Sequence, residues 1–221
     1  MKEQVIIANT IIGVVDTESD TTTGAMTSVQ YAPVFKFEKP YPIEVEDAKL
    51  IRCSTTKEGM ELFHTFLSTQ FKEGSKLLLF CHNLKWDITF FLNWLMKDLG
   101  YKHKELISDT NNDIDKETNK KKKYLKRNKN LKDKEFDTLI TNMGQVFCIR
   151  YRYKGLDITV QDSLKIIPFS LREACKKKNY DTKFKKISDG VDYDAELSDE
   201  YCLHDVLCLS ELVSIQINEG F

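Results

Sequence analysis

Apolar positions along the chain fall into short runs of strand length and longer stretches of helical period. From Val5 to Val15 they are nearly continuous, broken at Asn9-Thr10, and the run ends at Asp16-Thr17-Glu18. Such a run suits a strand buried on both faces, so Val5–Glu18 is expected to be a central strand. Val29–Phe37 and Ala48–Cys53 read as further strands, separated by a loop carrying Pro40 and Pro42. Thr55-x-x-Glu58 forms a capping box before a helix whose apolar residues include Met60, Phe63, Phe66, Leu67 and Phe71. Leu77–Phe80 is a short buried strand, and Asp87–Leu99 a helix dense in Ile88, Phe90, Phe91, Leu92, Trp94 and Leu95. Val146–Tyr153 and Leu156–Gln161 form a hairpin turning at Lys154-Gly155. Ser170-x-x-Glu173 caps a helix that ends in Lys176-Lys177-Lys178. The last element runs from about Ser198 to Asn218, with Asp199 and Glu200 in its favourable first turn. Strands first, then strands mixed with helices, predict a mixed α/β domain.

Length and composition narrow this without changing it. A chain of 221 residues with 41% apolar content is one domain, or one domain with an insertion. Lys+Arg (33) and Asp+Glu (34) nearly cancel, which excludes a globally basic coat protein, and 11% aromatics exclude an acidic disordered chain. No apolar run spans a bilayer. The N-terminal run has an early acid and no small-residue cleavage site, so a cytoplasmic protein that is not secreted is expected. The six cysteines form no Cys-x-x-Cys pair, which speaks for a reducing compartment and against a disulfide framework or structural zinc. The charge is uneven. Between Lys116 and Lys134 ten Lys/Arg face two acids, +8 within a chain of net −1, which leaves −9 elsewhere. The stretch at about 108–134 is expected to be a surface insertion, a mobile loop or frayed helix, that is either merely solvated or attracts phosphates.

Three sets of acids could carry chemistry. Asp16 and Glu18, two apart at a strand end, point to one face. Their repulsion is relieved by a hard divalent cation such as Mg²⁺, although a solvated strand end fits the same spacing. Asp87 follows a buried strand and a polar turn, where an ordinary helix N-cap is the competing reading. Tyr201 and Asp205, four apart, share a helical face, as would a core tyrosine beside a surface acid.

The combined order Asp-x-Glu … Asp … Tyr-x-x-x-Asp resembles the DEDDy subset of the DnaQ-like 3′–5′ exonucleases. That resemblance implies a ribonuclease-H-like α/β fold, a mixed central sheet flanked by helices. A narrower likeness lies in His82-Asn83-Leu84-Lys85-Trp86-Asp87 followed by Phe91-Leu92-Asn93-Trp94-Leu95, in Asn142-Met143-Gly144-Gln145, and in Asp162-Ser163-Leu164-Lys165-Ile166-Ile167-Pro168-Phe169. These segments resemble the N-terminal exonuclease domain of the phage protein-primed family B DNA polymerases.

By that resemblance Asp16, Glu18, Asp87 and Asp205 match metal-binding acids for two Mg²⁺ or Mn²⁺ ions, and Tyr201 matches the tyrosine that orients the attacking water. Ser19, His82, Asn83 and Trp86 match contacts to the single-stranded DNA 3′ end. Ser163 and Leu164 match a motif used for single-stranded DNA and the terminal (priming) protein. Among Lys183, Lys185 and Lys186, Lys186 is the first choice for a catalytic lysine. The implied function is proofreading-type removal of nucleotides by two-metal hydrolysis. The chain ends at Phe221 without a Tyr-x-Asp-Thr-Asp-Ser motif, so a polymerase domain is expected to be absent and no primer extension is expected. The alternatives are a freestanding DnaQ-like nuclease on RNA or short oligonucleotides, and a DNA or terminal-protein docking module with little turnover.

Overall fold

The computed structural model describes residues 2–104, 107–114, 121–126, 131–141, 144–177, 180, 182–184 and 199–220. The run expected as one strand folds back on itself. Ala8 and Asn9 take φ of 49° and 64°, and β1 (Ile6–Ile7) pairs antiparallel with the start of β2 (Thr10–Ser19). Asn visits the left-handed region more readily than most residues, so the chain reverses where the apolar run is interrupted. β3 (Met26–Pro33) and β4 (Lys49–Arg52) follow, then α1 (Thr56–Gln70). Thr55 Oγ1 accepts the Glu58 N–H at 3.2 Å, as the capping pattern predicts. β5 (Lys76–Cys81) leads to α2 (Ile88–Asn93), which continues as a π-helical turn over Trp94–Asp98.

After β6 (Lys102–His103), β7 (Ile107–Ile114) and β8 (Lys121–Lys126) pair antiparallel with each other, within the stretch expected as a mobile loop or frayed helix. β9 (Glu135–Ile140), not foreseen in the sequence, pairs with β10 (Val146–Tyr153), which forms a hairpin with β11 (Leu156–Asp162). That hairpin turns where predicted: Lys154 and Gly155 both have positive φ, 45° and 77°, as a tight primed turn requires. α3 (Leu171–Ala174) stops short of the lysine run it was expected to reach, and α4 (Asp199–Asn218) closes the fold.

The main sheet has the order β4-β3-β2-β5-β11-β10-β9-β6, with β1 alongside β2. Its centre is parallel (β2 with β5, β5 with β11) and most of its outer pairings are antiparallel. Strand alternation gives the sheet two apolar faces. Val15, Leu77, Leu79, Ile158 and Val160 pack with Met60 and Phe63 of α1 and with Phe91 and Trp94. Ile12, Val14 and Phe80 pack with Val206, Leu209, Leu212 and Val213 of α4. Each such large apolar side chain contributes about 1.5–3 kcal/mol on burial. α4 is buried nearly all round from Tyr201 to Ile215. Polar ties fix it along its axis. The Ser210 and Ser214 hydroxyls donate to the carbonyls of Pro33 (2.6 Å) and Phe35 (2.8 Å), and Arg52 of β4 binds Asp199 at 2.6 Å. Among the described residues no helix is long and apolar enough to cross a membrane.

Candidate active site

β2 delivers its acids by simple alternation. Ile12 and Val14 face α4 and Val15 faces α1, so Asp16 and Glu18 emerge on the α4 side and Thr17 on the other. On α4, Tyr201 and Asp205 lie one turn apart and are both buried. Carboxylate oxygens of Asp16, Glu18 and Asp205 come within 4.8 Å of one another. Asp16 also belongs to a second such set, with Asp87 and the Cys81 sulfur. Four acids from three separate parts of the chain therefore converge around Asp16.

Asp87 is held by the turn between β5 and α2. Asn83 adopts a left-handed φ of 63°, and its N–H donates to Asp162 Oδ1 at 3.1 Å. The same oxygen accepts the Leu164 N–H at 3.0 Å, and His82 Nδ1 lies 2.8 Å from Ser163 Oγ. One carboxylate at the end of β11 thus braces both polar turns. Asp87 precedes α2 but makes no side-chain cap bond to it. Its Oδ1 instead accepts the Thr17 hydroxyl at 2.5 Å, which argues against the ordinary N-cap reading. Burial pushes the Asp87 carboxyl up, opposed by hydrogen bonds from Thr17 and Cys81.

The acids open into a cleft of about 370 Å³. Asp16, Glu18, Asp87, Tyr201 and Asp205 line it, together with Ser19, His82, Asn83 and Trp86. Trp86 is 72% exposed, an indole face open to solvent at the rim. Ser163 is buried and, like Leu164, does not line the cleft; it stands behind His82. Lys186 and Lys185 lie outside the described residues. Lys183 bonds Glu44 at 2.5 Å and the Ile43 carbonyl at 3.3 Å. The cleft also includes Thr17, Phe90, Ser170, Leu171 and Arg172, which sequence reasoning missed. Arg172 sits in the first turn of a helix whose capping box was legible, but no pattern tied that turn to the acids. A second cavity of about 420 Å³ lies at the opposite ends of β2 and β5, beside Lys76, Arg150 and Arg152. Its guanidinium groups are paired with Asp137 and Asp157, and neither metal-ligating set adjoins it among the described residues.

The donor set suits hard divalent ions. Three carboxylates crowded at a half-buried strand end repel one another, and a cation between them removes that repulsion while satisfying their oxygens.

No protein-family model matches the chain. In sequence it is 27% identical over 157 residues to the DNA polymerases of Bacillus phages PZA and B103, a match covering 64% of this chain and 22% of each polymerase. In structure it superposes on phi29 DNA polymerase in an orthorhombic crystal form with a TM-score of 0.59 and 19% identity, covering 95% of this chain and 31% of that one. Phi29 DNA polymerase complexed with single-stranded DNA gives 0.58 and 18%, over 95% and 32%. The chain is homologous to a part of the phi29-type DNA polymerases. It spans less than a third of the phi29-type polymerases it matches. The mixed sheet flanked by helices, expected from the resemblance, is the fold it shares with them.

Proposed function

We propose that the chain is a metal-dependent 3′–5′ exonuclease domain of the proofreading type, acting on single-stranded DNA 3′ ends. The observation that carries this reading is the convergence of Asp16, Glu18 and Asp205 within 4.8 Å, with Asp16 shared with Asp87. Asp16, Glu18 and Asp205 would hold one Mg²⁺ or Mn²⁺, and Asp16 with Asp87 the second. Two such ions, when bound, supply an acidified water and charge stabilisation for an in-line displacement.

The chain's own side chains do the rest. The Tyr201 hydroxyl, one helical turn before Asp205, orients the attacking water. Trp86 offers a stacking face to the terminal base, worth roughly 1–3 kcal/mol and tolerant of sequence. Asn83 holds sugar or phosphate rather than reading a base. Arg172, which also lines the cleft, supplies a guanidinium for a phosphate oxygen. Mismatched ends unpair more cheaply than matched ones and reach such a cleft more often, which is the basis of selectivity. The homology supports a polymerase domain as partner. A terminal protein is the partner suggested by the Asp162-Ser163-Leu164-Lys165 resemblance.

The test is direct. With Mg²⁺ or Mn²⁺, the protein should shorten labelled single-stranded DNA from its 3′ end and release mononucleotides. EDTA, or Asp16→Ala combined with Glu18→Ala, should abolish this. Persistent cleavage by the double variant would falsify the assignment of the site. RNA of equal sequence should be the poorer substrate, since the 2′-OH is the discriminating group.

A further inference from the structure

Cys81 is the last residue of β5, fully buried, and its sulfur lies within 4.8 Å of ligand oxygens of both Asp16 and Asp87. We propose that Asp16, Cys81 and Asp87 form a thiol-bearing metal site that binds Zn²⁺ and Cd²⁺ in preference to Mg²⁺. The inference rests on reading Asp16 and Asp87 as ligands of the second ion, and it gives that ion site a chemical preference of its own.

The two donor sets differ in kind. Asp16, Glu18 and Asp205 offer only carboxylate oxygens, the donors of hard ions that keep their water. The other set joins two carboxylates to one sulfur, and a thiolate favours softer ions with short metal–sulfur bonds. Cys81 is placed for this by strand geometry and by the turn that follows. β5 runs parallel to β2, with Phe80 opposite Val14, so the strand ends side by side with the Asp16 end of β2. The turn braced by Asp162 then returns Asp87 over the sulfur. The sulfur thus stands beside the Asp87 carboxylate, within 4.8 Å of a ligand oxygen. Binding breaks the S–H bond heterolytically: the electron pair stays on sulfur to form the metal bond, and the proton leaves to solvent. Cys202 provides an internal comparison. It is also buried and feels Glu18 and Asp16, but it belongs to neither donor set.

The experiment uses the full chain. Cd²⁺ added to the metal-free protein should produce an ultraviolet sulfur-to-metal charge-transfer band that saturates at one equivalent. Cys81→Ser should lose the band, and Cys202→Ser should keep it. Calorimetric Zn²⁺ affinity should fall at least about tenfold in Cys81→Ser, the scale that even an outer-shell change causes. Should that variant fail to fold, X-ray absorption of the Zn²⁺-loaded native chain decides instead, with one sulfur expected at about 2.3 Å. No band and an oxygen-only shell, or a band retained in Cys81→Ser, would overturn the thiol site. Single-stranded DNA assays with Mg²⁺ separate the two readings: shortening without a band removes only the thiol ligand. A band in a protein that fails to shorten DNA with Mg²⁺ removes only the nuclease reading.

Discussion

At the scale of single residues, neighbours in the cleft are suited to different roles. Tyr201 and Asp205 share a helical face, yet only Asp205 joins an acid cluster. Tyr201→Phe should therefore leave metal binding intact and lower kcat by roughly 10²-fold or more, as single-turnover kinetics would show. Arg172 is different, because a phosphate contact acts mainly in binding. Arg172→Ala should raise KM for single-stranded DNA about tenfold with kcat little changed. Away from the cleft, His64 carries the clearest pH signature. Its ring is fully buried and stacked on Trp94 at a centroid distance of 4.1 Å. Nδ1 donates to the Met60 carbonyl (2.7 Å), so Nε2 accepts the Tyr151 hydroxyl (2.6 Å). Burial lowers its pKa to about 3, below the unfolded value of about 6.5. The unfolded chain therefore binds the extra proton between these values. The stability that neutral His64 contributes is complete above about pH 6.5 and is lost as pH falls toward 3. Urea unfolding should show His64 costing about 2 kcal/mol between pH 7 and 5, a loss absent in His64→Gln.

At the scale of elements, legibility followed hydrophobic contrast. β2 was recognisable because Ile11 to Val15 form an unbroken apolar run, and α4 because capping acids precede a long apolar stretch. β9 escaped notice because Asp137 sits in its middle, fully buried and paired with Arg150 of β10 at 2.5 Å. A buried acid in the middle of so short a strand breaks the alternation by which it would be read. The Asp16–Glu18 pair and the Tyr201–Asp205 spacing were visible as local patterns. The bond between Thr17 and Asp87, and the approach of Cys81 to Asp16, were not, because they depend on β2 and β5 lying parallel. Gly13 shows how tightly β2 is seated: a Cβ there would stand 2.8 Å from the Tyr31 ring and 3.2 Å from Leu79. Gly13→Ala should cost about 1–3 kcal/mol by overpacking, read as a lower urea midpoint, and should disturb the cleft through the strand that carries Asp16.

At the scale of the whole molecule, charge is divided between a cleft of acids and a basic hairpin. β8 carries part of the lysine run, and Lys121 to Lys123 place three lysines in sequence on it. If this hairpin gathers nucleic acid for the cleft, excising residues 107–126 should weaken single-stranded DNA binding. It should also flatten the salt dependence by about 0.7 in log–log slope for each phosphate contact removed, as equilibrium titrations at several salt concentrations would reveal. Cleavage of saturating substrate should be unaffected, since none of the cleft residues lies in that segment.

The Asp162 carboxylate, which accepts N–H groups from turns some eighty positions apart in sequence, has a mechanical consequence. The tips of β5 and β11 are pinned at one atom, so the loop after each strand cannot shift alone. A protein that grips the outer loop near Lys165 would tug on Asn83 at the cleft wall through that one carboxylate, and so reshape the cleft without entering it.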